Sequence, residues 1–138
     1  MRVLLDTGIL IGLMVENDQY HQRAVNELER LKTVGARFFV SDYVMDEFLT
    51  RVLYDAGAKT AQIARDNIQE MLDIRSLFLF PIGPDIFDQT LNDYDKYLNK
   101  GLSFTDATTI IAYQKGGFDL LLTYDSHFRK VGTKVSLL

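Results

Sequence analysis

The sequence predicts an α/β domain, a three-layer sandwich in which a mostly parallel sheet lies between helices. Short apolar segments alternate along the chain with longer segments whose apolar residues recur at helical spacing. Strands that alternate with helices are typical of parallel sheets covered on both faces. The length of 138 residues suits one ordinary domain, so we expect a single domain over 1–138.

Each expected element follows from a local pattern. The apolar segments predict strands, which are, in chain order, 3–5, 38–40, 77–80, 120–123 and a candidate fifth at 134–138. Apolar residues at helical spacing predict helices, which are 9–14, 21–31, one that begins after Ser41, 60–74, 85–98 and 104–114. Ser41 and Ser103 are suitable N-caps, Gly35 ends the second helix, and Pro81 ends the third strand.

Composition excludes several classes of protein. The chain has no cysteine, which rules out a disulfide framework and a cysteine zinc site. This composition permits a reducing cytoplasm, which is the location we expect. Asp6 interrupts the apolar start, so we expect neither a signal peptide nor a membrane span. The net charge of −4 provides no general basic surface for nucleic acid.

Four acidic residues occupy special places in this arrangement. Asp6 follows the first strand and Asp125 follows the fourth, while Asp106 lies in the first turn of a helix and Glu47 in the second turn of another. Open parallel sheets place their ligand sites outside the carboxyl ends of the strands. We therefore expect these four carboxylates at one edge of the sheet.

Carboxylates crowded at one edge repel one another unless a cation or protons neutralise them. Magnesium and manganese prefer carboxylate and water oxygens, and either ion suits phosphodiester hydrolysis. The pattern therefore predicts a metal-dependent nuclease that uses Mg²⁺ or Mn²⁺.

Each acid also has an ordinary structural interpretation. Asp6 and Asp125 are suitable cap or turn residues, and Asp106 completes an S-x-x-D capping box. Glu47 and Arg51 have the spacing of a surface ion pair. Taken one at a time, each acid favours the structural interpretation, and only their joint placement favours a site.

Other candidates carry weaker patterns. The histidines His21 and His127 are isolated and favour surface or loop roles. Three tyrosines are candidates for stacking on bases, namely Tyr43, Tyr54 and Tyr124. The basic residues available for phosphate contacts are Arg51, Lys59, Arg65, Lys96, Lys100, Arg129 and Lys130.

Five segments, in order and nearly spanning the chain, resemble those of the PIN-domain ribonucleases, and within them the VapC-type toxins of toxin–antitoxin pairs. The segments are VLLDT at 3–7, YHQRAV at 20–25, VSDYVMDE at 40–47, LSFTDA at 102–107 and LLTYDSHF at 121–128. The resemblance makes all four acids metal-site carboxylates, supported by the hydroxyls of Thr7, Ser103 and Thr123. One departure is Gly8, where many members carry Asn or Ser.

The resemblance also implies properties that the residues alone do not predict. It implies a PIN-like fold with five parallel strands, an RNA substrate, a homodimer and an antitoxin partner. An arginine of the antitoxin would reach the acids. The apolar part of the same antitoxin segment would lie near Leu10, Leu13, Leu28 and Leu31. For Leu28 and Leu31, a role in the core is the stronger interpretation.

Alternative functions remain at this point. A housekeeping PIN nuclease in RNA processing would use the same acids, and a non-catalytic PIN scaffold would bind RNA or protein without them. A structure-specific DNA nuclease is usually larger. We reject a receiver domain, because it needs an acidic pair after the first strand and only Asp6 is there.

Overall fold

A central parallel sheet with helices on both faces organises the chain in the computed structural model, which describes residues 1–131 and 135–137. The strands are β1 (Arg2–Leu5), β2 (Arg37–Ser41), β3 (Leu77–Phe80), β4 (Leu120–Thr123) and β5 (Val135–Leu137). The helices are α1 (Thr7–Met14), α2 (His21–Thr33), α3 (Asp42–Ala56), α4 (Ala58–Asp73), α5 (Pro84–Leu98) and α6 (Phe104–Lys115). A short 3₁₀ helix, Ser126–Val131, follows β4.

The order of strands in the sheet is β3-β2-β1-β4-β5, and every neighbouring pair is parallel. From β1 the chain adds β2 and then β3 towards one edge of the sheet. It then returns to the other side of β1, where it adds β4 and β5 towards the opposite edge. The order therefore reverses between β1 and β4, and such a switch point is where open α/β sheets bind ligands. A receiver domain has a different strand order, 2-1-3-4-5, so the structure confirms its rejection.

Alternate residues of the central strands point into two separate cores. Val3 and Leu5 belong to one core with the apolar residues of α1 to α4, while Leu4 belongs to the other with α5 and α6. In β2, Val40 and Phe39 divide between the two cores in the same way. This period of two explains why both faces of the sheet need helices, and it confirms the predicted three-layer α/β sandwich.

The bounds of β3 and β4 agree with the prediction, whereas those of several other elements differ by a few residues. Helix α1 begins at Thr7, two residues before Ile9, because the Asp6 side chain caps it at the first backbone N–H. The edge strand β5 has only three residues, and the predicted ends of this strand, 134 and 138, lie outside the described residues. Ser41 and Ser103 both act as the predicted N-caps.

The expectation of an apolar surface on the early helices needs correction. Leu10, Leu28 and Leu31 are at most 4% exposed, since they pack into the first core. A shallow groove of about 220 Å³ does lie between α1, α2 and α4, and Leu13 and Leu28 line it. Among the described residues, no helix is long and apolar enough to cross a membrane.

Candidate active site

The candidate site is a cleft of about 400 Å³ at the switch point of the sheet. All four predicted acids line it, and so do Thr7 and Ser103. The remaining lining residues are Gly8, Ile11, Asp18, Gln19, Tyr20, Arg51 and Tyr124. The fold therefore brings residues from four distant segments of the chain into one concave surface.

Asp6 lies at the centre, where β1 ends beside β4. Its backbone N–H donates to the carbonyl of Leu122, 3.1 Å away, which continues the ladder between the two strands. Its side chain is only 6% exposed. Oδ1 accepts the Thr7 backbone N–H at 2.8 Å, and Oδ2 accepts the hydroxyl of Thr123 at 2.6 Å. Both oxygens are thus fixed in direction.

Burial raises the pKa of the Asp6 carboxyl from 3.8 to about 7, because the charged form loses its water. The negative charges of Asp106 and Glu47 raise this pKa further, whereas the hydrogen bonds from Thr123 and Thr7 oppose the rise. A neighbouring cation would therefore stabilise the charged form of the Asp6 carboxyl.

Glu47 reaches the cleft from the second turn of α3, whose start is fixed by Ser41. The Ser41 hydroxyl oxygen accepts the Val44 N–H at 3.0 Å, and Ser41 is fully buried. Glu47 does not pair with Arg51. Its Oε2 accepts the Thr7 hydroxyl at 2.9 Å, which ties α3 to the first turn of α1.

Asp106 is held by the capping box at the start of α6. Its Oδ2 accepts the Ser103 N–H at 2.8 Å, and its own N–H donates to the Ser103 hydroxyl oxygen at 3.1 Å. Partial burial raises the pKa of Asp106, hydrogen bonding of its carboxyl to the backbone and side chain of Ser103 lowers it, and the charge of Asp125 raises it again. The cap fixes one oxygen and leaves the other for the cleft.

Asp125 has more local partners than the other three acids. Its N–H donates to the Thr123 hydroxyl oxygen at 3.0 Å, and its Oδ1 accepts the His127 N–H at 2.8 Å. The same oxygen lies 2.6 Å from Nδ1 of the His127 ring. Thr123 thus connects Asp125 to Asp6, while His127 takes one of the two Asp125 oxygens.

The aromatic residues Tyr20 and Tyr124 form one wall of the cleft. Their ring centres are 4.2 Å apart with an interplanar angle of 19°, and the Tyr124 hydroxyl donates to the Tyr20 carbonyl at 3.1 Å. Burial raises the pKa of Tyr124 to about 12, and the charge of Asp18 contributes, so this hydroxyl keeps its proton.

The same ring accounts for the unusual residue Gly8. A Cβ atom on Gly8 would lie 3.3 Å from Cδ2 of Tyr124, and one on Gly12 would lie 3.2 Å from its hydroxyl oxygen. Tyr124 therefore packs closely on α1, and the absent side chain at position 8 makes room for it.

Several sequence candidates lie outside the cleft. Tyr43 packs against Phe87 and Phe104, and Tyr54 is 81% exposed and does not line the cleft. Nδ1 of His21 donates to the Gly12 carbonyl oxygen at 2.7 Å. Of the seven basic residues proposed for phosphate contacts, Arg51 alone lines the described part of the cleft.

Sequence reasoning missed the segment Asp18 to Tyr20. These residues lie in the connection between α1 and α2, which has no periodic pattern and gives no signal of a ligand site. The Tyr20 contact joins residues 104 positions apart in sequence. Only the tertiary structure brings them together.

The arrangement is strongly acidic. The described lining contains five carboxylates, those of Asp6, Asp18, Glu47, Asp106 and Asp125, and one permanent cation, that of Arg51. As the side chains of the described residues stand, no three acidic or histidine groups converge closely enough to form a ready metal cage. Magnesium usually keeps several waters and binds through one or two carboxylates, so the oxygen donors present fit a hydrated divalent ion.

The family is shown by comparison with known proteins. The model of the PIN domain matches residues 3–134, so this chain belongs to the PIN domain family. No curated protein sequence matches the chain.

Among solved structures, the chain is similar to VapC20 of Mycobacterium tuberculosis, described as a toxin that cleaves the sarcin–ricin loop. That likeness has a TM-score of 0.78, 20% identity and 95% coverage of each chain. The chain is also similar to VapBC2 of Rickettsia felis, bound to a promoter DNA fragment, with a TM-score of 0.74 and 16% identity. This likeness covers 99% of this chain and 98% of that one. A toxin–antitoxin complex from Klebsiella pneumoniae matches with a TM-score of 0.69 and 18% identity, over 97% of this chain and 95% of that one. These likenesses show a shared fold.

Proposed function

We propose that this protein is a metal-dependent endoribonuclease that hydrolyses phosphodiester bonds of RNA. The observation that carries the proposal is the meeting of Asp6, Glu47, Asp106 and Asp125 in one cleft at the switch point of the sheet. Capping accounts for Asp6 and Asp106 one at a time, but it does not explain why four acids from four segments meet in one cleft, where one of them has a pKa near 7. They are suited to holding a hard divalent cation.

In this proposal Asp6, Glu47, Asp106 and Asp125 together hold Mg²⁺ or Mn²⁺, directly or through water. A bound divalent ion lowers the pKa of water and neutralises the charge that develops on the phosphate. Thr123 and Thr7 orient Asp6 through their two hydrogen bonds. Ser103 orients Asp106 in the same way.

Arg51 provides a phosphate contact in the proposal. Its guanidinium is exposed, lines the cleft one turn after Glu47, and has no ion pair within the described part of the chain. An RNA phosphate that approaches five carboxylates is repelled unless cations compensate. Arg51 supplies a cation that does not depend on the metal.

The test is cleavage of a labelled single-stranded RNA by the purified protein, with Mn²⁺ and with excess chelator. We expect cleavage with Mn²⁺ and a loss of at least ~10² in rate with chelator, since the ion activates the water. Equal cleavage in both reactions would rule out the metal mechanism. Absence of both manganese binding and RNA cleavage would favour a non-catalytic scaffold.

We further propose that the chain acts in the cytoplasm as the toxin of a VapBC-type pair, forms homodimers and is held inactive by an antitoxin. The likeness in fold to VapC20 and to VapBC complexes supports this. An antitoxin arginine can form a bidentate pair with a carboxylate and so compete with the metal for it. The groove that Leu13 and Leu28 line offers the remaining segment an apolar surface.

The toxin assignment is tested by expression in a bacterial host. Wild type alone should arrest growth, Asp6→Asn should not, and coexpression with a small neighbouring gene should restore growth. If wild type alone is harmless at high expression while the purified protein cuts RNA, the housekeeping nuclease becomes the correct assignment.

A further inference from the structure

The aromatic wall of the cleft has a role that the acid cluster does not explain. Tyr20 and Tyr124 lie in stacked contact, with ring centres 4.2 Å apart, and both line the same cleft as the four acids. Tyr124 directly precedes Asp125 in the chain. The wall therefore lies beside the acids in the same cleft.

Both backbone polar groups of Tyr20, its N–H and its carbonyl, have hydrogen-bond partners. Its backbone N–H donates to Oδ1 of Asp18 at 2.9 Å, and its carbonyl accepts the Tyr124 hydroxyl at 3.1 Å. The side chain of Tyr20 is partly exposed although it sits among these contacts. A partly exposed ring held in one orientation is a preorganised surface for another flat group.

The two rings differ in what is left for a ligand. Tyr124 packs against α1, where Cβ atoms on Gly8 and Gly12 would come within 3.3 and 3.2 Å of it, and Tyr20 stacks on its face. Tyr20 has a single ring neighbour among the described residues, and the guanidinium of the exposed Arg23 lies over the ring, 5.8 Å from its centre, where an incoming base would displace it. Tyr124 is thus the support, and Tyr20 is the ring that a ligand can stack on.

We propose that Tyr20, backed by Tyr124, is the stacking site for one nucleobase beside the scissile phosphate of a single-stranded RNA. This inference rests on the proposed ribonuclease function and names how that site holds its substrate. Aromatic side chains bind unpaired bases by stacking, and every base has a suitable face. The Arg23 charge near the ring adds attraction for the neighbouring phosphate.

The experiment measures Mn²⁺-dependent cleavage of a short RNA whose cleavage position has been mapped. Wild type is compared with Tyr20→Leu, which keeps an apolar side chain without a ring, and with Tyr20→Phe, which keeps the ring. Each protein also receives a set of RNAs in which one nucleotide near the cleavage position is abasic. The melting temperature of every variant is recorded.

We expect Tyr20→Leu to raise KM for intact RNA about tenfold, with kcat changed less than about twofold, and Tyr20→Phe to behave as wild type. When the nucleotide at one position is abasic, KM of wild type should rise by the same factor of about ten. KM of Tyr20→Leu should not rise further at that position. An equal loss for Tyr20→Leu on intact and on all abasic RNAs would overturn the inference and leave a purely structural role. No effect of Tyr20→Leu on intact RNA would also overturn it.

The set of substrates separates failure of this inference from failure of the proposed function. If wild type cleaves RNA and the abasic positions show no such coupling, the stacking site is wrong while the nuclease stands. If Mn²⁺-loaded wild type cleaves no RNA at all, the nuclease proposal fails, and this inference fails with it. Should Tyr20→Leu not fold, wild type on the abasic RNAs still tests the inference: a loss at one position would support it, and equal rates at every position would overturn it.

Discussion

Thr123 donates its hydroxyl to Asp6 at 2.6 Å, across the two strands where the order of the sheet reverses. The same oxygen accepts the Asp125 N–H at 3.0 Å, so one fully buried hydroxyl connects two of the four acids. Because this contact fixes an oxygen of Asp6, changes to Thr123 test the site without removing any carboxylate.

Thr123→Val should weaken both the fold and the affinity for metal. Valine keeps the shape of threonine but leaves the Asp125 N–H without its partner and removes a hydrogen bond that lowers the pKa of Asp6. We expect a loss of about 1–3 kcal/mol in the free energy of unfolding, as for other buried polar groups left unpaired. Urea unfolding and Mn²⁺ titration measure the two effects.

Thr123→Ser is the matched control, since it keeps the hydroxyl and loses only a methyl group. It should retain most of the metal affinity. Equal metal affinity in the valine and wild-type proteins would show that Thr123 does not orient Asp6.

The raised pKa of Asp6 predicts how stability varies with pH in the absence of metal. The folded protein holds this proton up to about pH 7, whereas the unfolded chain releases it near 3.8. Between these values the folded state binds more protons, so the contribution of Asp6 to stability is present below pH 3.8 and is lost as pH rises through 7. Asp6→Asn removes this ionisation.

The measurement is the free energy of unfolding of both proteins, without metal, from pH 5 to pH 8. The variant should gain on wild type as pH rises, by an amount on the order of 1–3 kcal/mol over this range. A constant difference between the two proteins across the range would mean that the Asp6 pKa is not raised. Mn²⁺ should reduce the pH dependence of wild type, because the ion stabilises the carboxylate.

Arg51→Ala should weaken RNA binding more than it slows the chemical step. The loss of one phosphate contact is expected to raise KM several-fold and to reduce the dependence of log KM on log salt by about one unit. Arg65→Ala is the control, since Arg65 pairs with Asp66 and lies outside the cleft. Equal changes in the two variants would indicate a general charge effect and remove Arg51 from the site.

The strands and helix starts could be predicted from sequence because they depend on local patterns, and their parallel arrangement then predicted that the four acids meet at one edge of the sheet. The apolar segments 77–80 and 120–123 become β3 and β4 without change of bounds. The capping interpretation is confirmed for Asp6 and Asp106, since both side chains accept helix or cap N–H groups. Each of these residues still lines the cleft, so a cap and a site do not exclude each other.

Tertiary contacts account for what the sequence could not predict. The spacing of Glu47 and Arg51 favours a surface pair, but Thr7 from α1 takes the Glu47 oxygen instead. Nothing in the pattern around Tyr20 indicates that it stacks on Tyr124, because that contact depends on how the connection after α1 folds back onto the end of β4.

The most direct test of the account compares the rate of RNA cleavage by wild type, Asp106→Asn and Asp93→Asn at saturating Mn²⁺. Asparagine at position 106 can still accept the Ser103 N–H and so keep the cap, but it removes the charge. Asp93 has the same chemistry outside the cleft. We predict a loss of ~10² or more for Asp106→Asn, with an unchanged fold, and a rate within about twofold of wild type for Asp93→Asn. Equal rates for Asp106→Asn and wild type, or an equal loss in both variants, would contradict the assignment of this cleft as the nuclease site.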